Sequence, residues 1–220
     1  MMDLNDISLC LQNGNARETS ALVTKAIEEN YDIESIVKKG FVAGMKAVAE
    51  RYRQHEIIMP EICLARRAMN QGIRQVKLAL AASDKQWKGT AVIGMVSGEN
   101  EETTKNLISI MLESMGIRVI DLGPSVSADR FVEAAIAEKA QIIICSAMLV
   151  STMPRMKLLV RAATAAGIRN HTKILITGAP VTEQYSRLIG ADFYAPDVER
   201  VADKAANYCL QTGGSQEKQE

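Results

Sequence analysis

The sequence predicts an α/β protein: an N-terminal helical bundle cap, then a doubly wound, Rossmann-like or flavodoxin-like domain with a five-stranded parallel sheet. Two observations predict it. Through residue 88 the apolar positions recur at spacings of three and four, the helical period. After the polar segment SDKQWKG at Ser83–Gly89 the pattern changes to short apolar runs, each separated from the next by a helical stretch. Such alternation of buried strands with crossover helices is the mark of a parallel sheet.

In the first part, a short helix fits Leu4 to Leu11. Asn15 followed by Glu18 reads as a capping box, with Ala21, Leu22, Ala26 and Ile27 on the apolar side behind it. Asp32 can cap a long helix with the stripe Ile33, Ile36, Val37, Phe41, Met45, Val48 and Tyr52. Gly40 and Gly44 lie on that stripe and weaken the helix, which points to close approach by a neighbour. Pro60 suits the first turn of a further helix carrying Ile62, Met69, Ile73, Val76 and Leu80. In the second part, strands are predicted at Thr90–Val96, Ile117–Leu122, Gln141–Cys145, Lys173–Thr177 and Asp192–Tyr194. The expected divisions are a helical cap at 1–88, an α/β domain at 89–212 and a disordered tail at 213–220.

Composition narrows the function. Lys plus Arg and Asp plus Glu both total 26 in 220 residues, so the formal net charge is zero, which argues against nucleic-acid binding. No apolar run approaches the roughly 20 residues of a membrane span. The start, MMDLNDISLC, lacks the basic region and apolar core of a signal peptide. Cys10, Cys63, Cys145 and Cys209 are far apart and contain no C-x-x-C, as expected for reduced thiols in the cytoplasm. His55 and His171 are the only histidines, and neither has the neighbours of a zinc site or a Ser-His-Asp triad.

In open parallel sheets, ligands bind beyond the carboxyl ends of the strands. The segments there are Ser97-Gly98-Glu99-Asn100-Glu101-Glu102-Thr103-Thr104, Ser146-Ala147-Met148-Leu149-Val150-Ser151-Thr152, and Thr177-Gly178-Ala179-Pro180-Val181-Thr182. Their small and hydroxylated residues suit close approach of a ligand and equally suit ordinary helix-capping loops. A dinucleotide site would need G-x-G-x-x-G, and only Gly98 is present. A phosphoacceptor receiver would end its third strand on an acid, where this chain has Ser146. A flavodoxin phosphate would face Glu99, Glu101 and Glu102.

Over about residues 15–210, the chain resembles the cobalamin-binding module of B12-dependent methionine synthase and of the small corrinoid proteins of methyltransferase systems. The resemblance is carried in the cap by Gly40-Phe41-Val42-Ala43-Gly44-Met45, Ile58-Met59-Pro60-Glu61 and Ala68-Met69. In the sheet domain it is carried by Lys105-Asn106, Asp121-Leu122-Gly123, Ser146-Ala147-Met148-Leu149 with Thr152-Met153, Gly178 through Thr182, and Gly190-Ala191-Asp192 with Tyr194-Ala195-Pro196-Asp197. The family implies that the dimethylbenzimidazole tail leaves the cobalt and inserts beside the sheet. Ser146, Met148, Leu149 and Val150 would line the channel, with Thr177, Gly178 and Ala179 at the nucleotide end. Met59, Met69 and Phe41 would cover the upper corrin face.

One departure stands out. The family's D-x-H-x-x-G supplies a histidine to the lower face of cobalt, held by the aspartate. Here Glu99 stands at the Asp position, Glu101 at the His position and Thr104 at the Gly position, with Gly98 and Asn100 alongside. Thr152 could keep the role of the hydroxyl partner. Glu101 could be a helix-start acid paired with Lys105, or could reach cobalt directly or through water. By resemblance the expected function is a non-catalytic, methyl-carrying corrinoid subunit, serving methyltransferase partner proteins and binding cobalamin base-off without a histidine ligand. A cobalamin sensor or storage protein, or a scaffold that binds no corrinoid, are the alternatives.

Overall fold

A computed structural model describes residues 2–82 and 86–213. The chain divides into two compact units at Asp84/Lys85. Part of the expected linker, residues 83–85, and the expected tail from 214 lie outside the described residues.

The first unit is helical. It contains α1 (Asn5–Gln12), α2 (Ala16–Glu28), α3 (Ile33–Ser35), a π-helical segment Ile36–Val42, α4 (Ala43–Arg53) and α5 (Met59–Ala82). The two predicted caps form: Asn15 accepts from the Glu18 amide and Asp32 from the Ser35 amide. The predicted long helix after Asp32 is continuous but is π-wound in its middle. There it meets α1, and the two glycines allow the approach: a Cβ on Gly40 would lie 2.9 Å from Ile7, and one on Gly44 3.3 Å from the Ser8 backbone. Ile7, Leu11, Val23, Ile36, Val37, Phe41, Met69 and Val76 are fully buried here. Two residues expected over a ligand therefore sit elsewhere. Met69 and Phe41 have no exposed surface, because their positions on the apolar stripes turn them into the bundle core. Met59, at the start of α5, is 54% exposed.

The second unit alternates strand and helix: β1 (Gly89–Met95), α6 (Thr103–Ser114), β2 (Ile117–Asp121), α7 (Ala128–Ala137), β3 (Ile142–Ser146), α8 (Pro154–Ala165), β4 (Lys173–Thr177), α9 (Glu183–Ile189), β5 (Phe193–Tyr194) and α10 (Val198–Gly213). The order is β2-β1-β3-β4-β5, all parallel. The connection leaves β1 toward β2 on one side and returns to β3 on the other, so the switch point lies between β1 and β3. Val92, Val96, Ile143, Cys145, Ala147, Ile174 and Ile176 form one buried face with Phe131, Leu159 and Val160. The register aligns Met95, Ser146 and Thr177 across the carboxyl ends of three strands. Residues alternate faces along a strand, so all three share the face opposite that cluster.

Candidate functional site

The segments after β1, β2 and β3 meet at the switch point, and Glu99 joins them. Its carbonyl accepts from the Ser125 amide at 3.0 Å, and the adjacent Gly98 amide donates to Ser125 Oγ at 3.0 Å. Its carboxylate crosses to the segment after β3. Oε1 accepts from the amides of Met148 and Leu149 at 2.7 and 2.9 Å, and from the Thr152 hydroxyl at 2.5 Å. Glu99 is 3% exposed and Thr152 8%. A buried carboxylate is costly unless it is well hydrogen-bonded, and three donors on one oxygen meet that need. The structure thus brings together the expected acid and its expected hydroxyl partner.

Asn100 is exposed, whereas Glu101 and Thr104 are half-buried at the start of α6. Glu101 Oε1 accepts from the Thr103 amide at 3.0 Å, as a helix-start acid does. The ammonium of Lys105, 1% exposed, contacts both oxygens of Asp121 at 2.6 and 2.5 Å and Glu102 at 3.1 Å. Asp121 also accepts from the Gly123 amide at 2.9 Å. This network anchors the start of α6 to the end of β2. Sequence reading quoted both residues as motifs but missed their contact; the signal was a lysine on an otherwise apolar helix face.

At the ends of β3 and β4 the hydroxyls differ. Thr177 Oγ1 donates to the Ala195 carbonyl at 2.8 Å. Ser146 Oγ is the one buried side-chain polar atom without a partner among the described residues. Leaving such a group unpaired costs about 1–3 kcal/mol. Beyond it, Met148 is half-buried, and Leu149 and Val150 are 53% and 73% exposed, so an apolar lip borders an unsatisfied hydroxyl. Ala179 is exposed beside it. Gly178 has a different reason from the one expected. Its φ is +131°, and a Cβ there would lie 1.8 Å from the Ala147 carbonyl oxygen. The protein's own backbone requires glycine at this position.

Within the helical unit, Tyr52, Arg53, His55, Ile57, Ile58, Met59 and Pro60 line a pocket of ≈ 540 Å³. Ile58 is 64% exposed, so this rim is apolar and open. His171 follows the turn at Ile168–Asn170 and precedes β4, at the end of the sheet opposite Ser146.

Comparison with known proteins assigns both units. The B12 binding domain matches residues 89–203, and a second B12 binding domain description matches residues 4–77. Over 185 residues the chain is 35% identical to trimethylamine corrinoid protein 1 of Methanosarcina mazei, covering 83% of this chain and 86% of that protein. It is 33% identical to dimethylamine corrinoid protein 1 of Methanosarcina acetivorans, covering 84% and 87%. The solved monomethylamine corrinoid protein of Methanosarcina barkeri aligns with a TM-score of 0.76 and 26% identity, over 94% of this chain and 96% of that one.

Proposed function

We propose, because this chain belongs to the B12-binding family of corrinoid proteins, that it is the methyl-carrying corrinoid subunit of a methyltransferase system. Cobalamin is its cofactor. When bound, the cofactor would supply a cobalt able to carry a methyl group between a donor and an acceptor substrate, each transfer being catalysed by a partner methyltransferase. The chain's own residues hold and orient. The observation that carries the reading is Ser146: a buried, unpartnered hydroxyl at the switch-point end of β3, bordered by Met148, Leu149 and Val150. Ser146 would hold the benzimidazole tail by a hydrogen bond from its hydroxyl, with Met148, Leu149 and Val150 against the ring. Gly98 and Asn100 are exposed and Thr104 half-buried after β1, where they would meet the corrin, and Met59 offers an apolar surface in the helical unit. Neither histidine belongs to the segment after β1, so with the benzimidazole tail in the channel at Ser146 the cofactor would be base-off with no imidazole from that segment. Glu101 serves the helix start, where its carboxylate accepts from the Thr103 amide.

The relatives' names, trimethylamine and dimethylamine corrinoid protein, point to a methylamine as methyl source. No helix among the described residues is long and apolar enough to cross a membrane. The four cysteines are free, which supports a reducing, cytoplasmic setting. The substitution of the loop histidine favours a second reading, a cobalamin sensor or store without methyl transfer.

Mixing the apoprotein with hydroxocobalamin, desalting it and recording the visible spectrum tests binding and base-off state together. Retained, base-off cobalamin is expected; loss of all colour on desalting overturns the cofactor assignment for this chain. The reduced, loaded protein is then offered to methyltransferases encoded beside it, with methylamines as substrates. Methylation supports the carrier, and tight binding without methylation by any of them supports the sensor.

A further inference from the structure

Resting on that reading, we infer that Glu99 is a positioning residue that sets the mouth of the cobalamin crevice, and is neither a cobalt ligand nor half of an imidazole relay. The juxtaposition that carries this is the set of donors on one oxygen. Glu99 Oε1 receives the Met148 amide, the Leu149 amide and the Thr152 hydroxyl, all from the segment after β3. Its backbone carbonyl receives the Ser125 amide from the segment after β2. One residue on the β1 side therefore fixes the two flanking segments across the switch point.

The chemistry of that oxygen favours the latch. A carboxylate oxygen has two lone pairs in the carboxyl plane and gains most from two or three donors. Three short contacts saturate it, so Oε1 has nothing left for a metal. The side-chain length matters as well. Reaching across the crevice to two consecutive amides uses the extra methylene that separates glutamate from the family's aspartate. The acid that orients a histidine elsewhere is here a latch on the protein's own backbone. It also determines where Met148, Leu149 and Val150 present their apolar edge, because two of those three residues are held by their amides.

The test separates latch, ligand and fold. Glu99→Gln keeps an oxygen that accepts the same donors. Glu99→Ala removes it, and Glu99→Asp withdraws it. Hydrogen exchange of the Met148 and Leu149 amides in the apoprotein is expected to stay slow in the wild type and in Glu99→Gln. It should accelerate about tenfold or more in Glu99→Ala and Glu99→Asp, the scale of losing a charge-assisted hydrogen bond. After loading with hydroxocobalamin, dissociation is expected to quicken about tenfold in the same two variants and little in Glu99→Gln. Paramagnetic resonance of the Co(II) form should match between the wild type and Glu99→Gln.

A changed Co(II) spectrum in Glu99→Gln would make Glu99 a ligand and overturn the inference. So would unaltered amide exchange in folded Glu99→Ala, or accelerated exchange with unaltered cobalamin dissociation. If Glu99→Ala does not fold, Thr152→Val removes a single donor and should give a smaller change in the same direction; no change in it overturns the latch. Should the wild type hold no cobalamin, the proposed function fails, while the amide-exchange comparison still decides whether the latch exists.

Discussion

Ser146 and Thr177 end adjacent parallel strands in register, yet among the described residues only the Thr177 hydroxyl has a partner. The two residues point to the same face, and both are nearly inaccessible. The difference is positional. The Ala195 carbonyl, after β5, lies over Thr177, while the strand beside Ser146 on its other side is β1, which ends at Met95. At the switch point, the Ser146 hydroxyl is left without a hydrogen-bond partner among the described residues.

Ser146→Ala is expected to leave folding stability unchanged or raise it by up to about 1 kcal/mol, because no internal hydrogen bond is lost. The same variant should release cobalamin about five- to tenfold faster, for loss of one hydrogen bond to the ligand. Ser146→Val, a smaller change at this closed position than leucine would be, should weaken retention further, and its urea unfolding reports how much the added methyl overpacks the strand end. Urea unfolding of the apoproteins and the colour retained after desalting check both. A clear loss of stability in Ser146→Ala would show that the hydroxyl has a structural partner.

Gly178 behaves differently. Even Gly178→Ala places a Cβ on the Ala147 carbonyl, in a backbone region that disfavours side chains. A destabilisation of about 2 kcal/mol or more is expected, from overpacking against backbone and from positive φ. Urea unfolding measures it. Cobalamin loss in Gly178→Leu then follows from misfolding and says nothing about room for the tail. A fully stable Gly178→Ala would show that the β3 and β4 ends separate more readily than their hydrogen bonds imply.

Lys105→Met should cost about 2–3 kcal/mol. The full penalty for splitting a buried pair is larger, but Asp121 and Glu102 are 29% and 37% exposed and are partly rescued by water. Asp121→Asn should cost less, and the double variant less than the sum, as expected for groups in contact. A double-mutant cycle in urea checks the coupling; additivity would remove the network's role in anchoring α6.

Glu101→His puts an imidazole where the resemblance places the histidine of D-x-H-x-x-G. With Glu99 engaged by Met148, Leu149 and Thr152, the single variant is expected to show no nitrogen superhyperfine splitting in its Co(II) spectrum. Glu99→Asp combined with Glu101→His should show it, because a shorter acid withdrawn from those amides can hold the ring. Splitting in the native protein would mean that another nitrogen binds cobalt.

The cysteines should divide by burial. Cys63 is exposed, while Cys145 and Cys209 are buried. Burial pushes the Cys209 thiol from 9.0 up to about 12, and Cys145 in the same direction. Both raised values favour the neutral thiol in the folded state. Their contribution to stability is complete below pH 9 and declines as pH rises from 9.0 toward about 12. Thiol titration of the native protein at neutral pH should label Cys63 promptly and leave Cys145 and Cys209 unmodified until denaturant is added. Mass spectrometry identifies the sites, and prompt labelling of Cys145 would show that the sheet core opens.

The order of elements was legible from the residues alone. Apolar spacing and caps are local, so the helices after Asn15 and Asp32 and the strand at Lys173–Thr177 follow from neighbours a few positions away. So does the crevice, because a parallel sheet must place its ligand end beyond Ser97, Ser146 and Thr177. The motifs likewise carried the resemblance to cobalamin-binding proteins. What the tertiary structure decided are relationships between distant residues. The π-wound turn at Ile36–Val42 depends on how closely α1 packs, which apolar spacing does not report. Met69 and Phe41 lie in the bundle core because the neighbouring helices cover their faces. Glu99 meets donors 49 to 53 positions away, and Lys105 meets an acid 16 positions away. Periodicity specifies which side of an element is buried. Only the register and crossing of packed elements specify which polar atoms then meet, and which one, Ser146 Oγ, is left without a partner among the described residues.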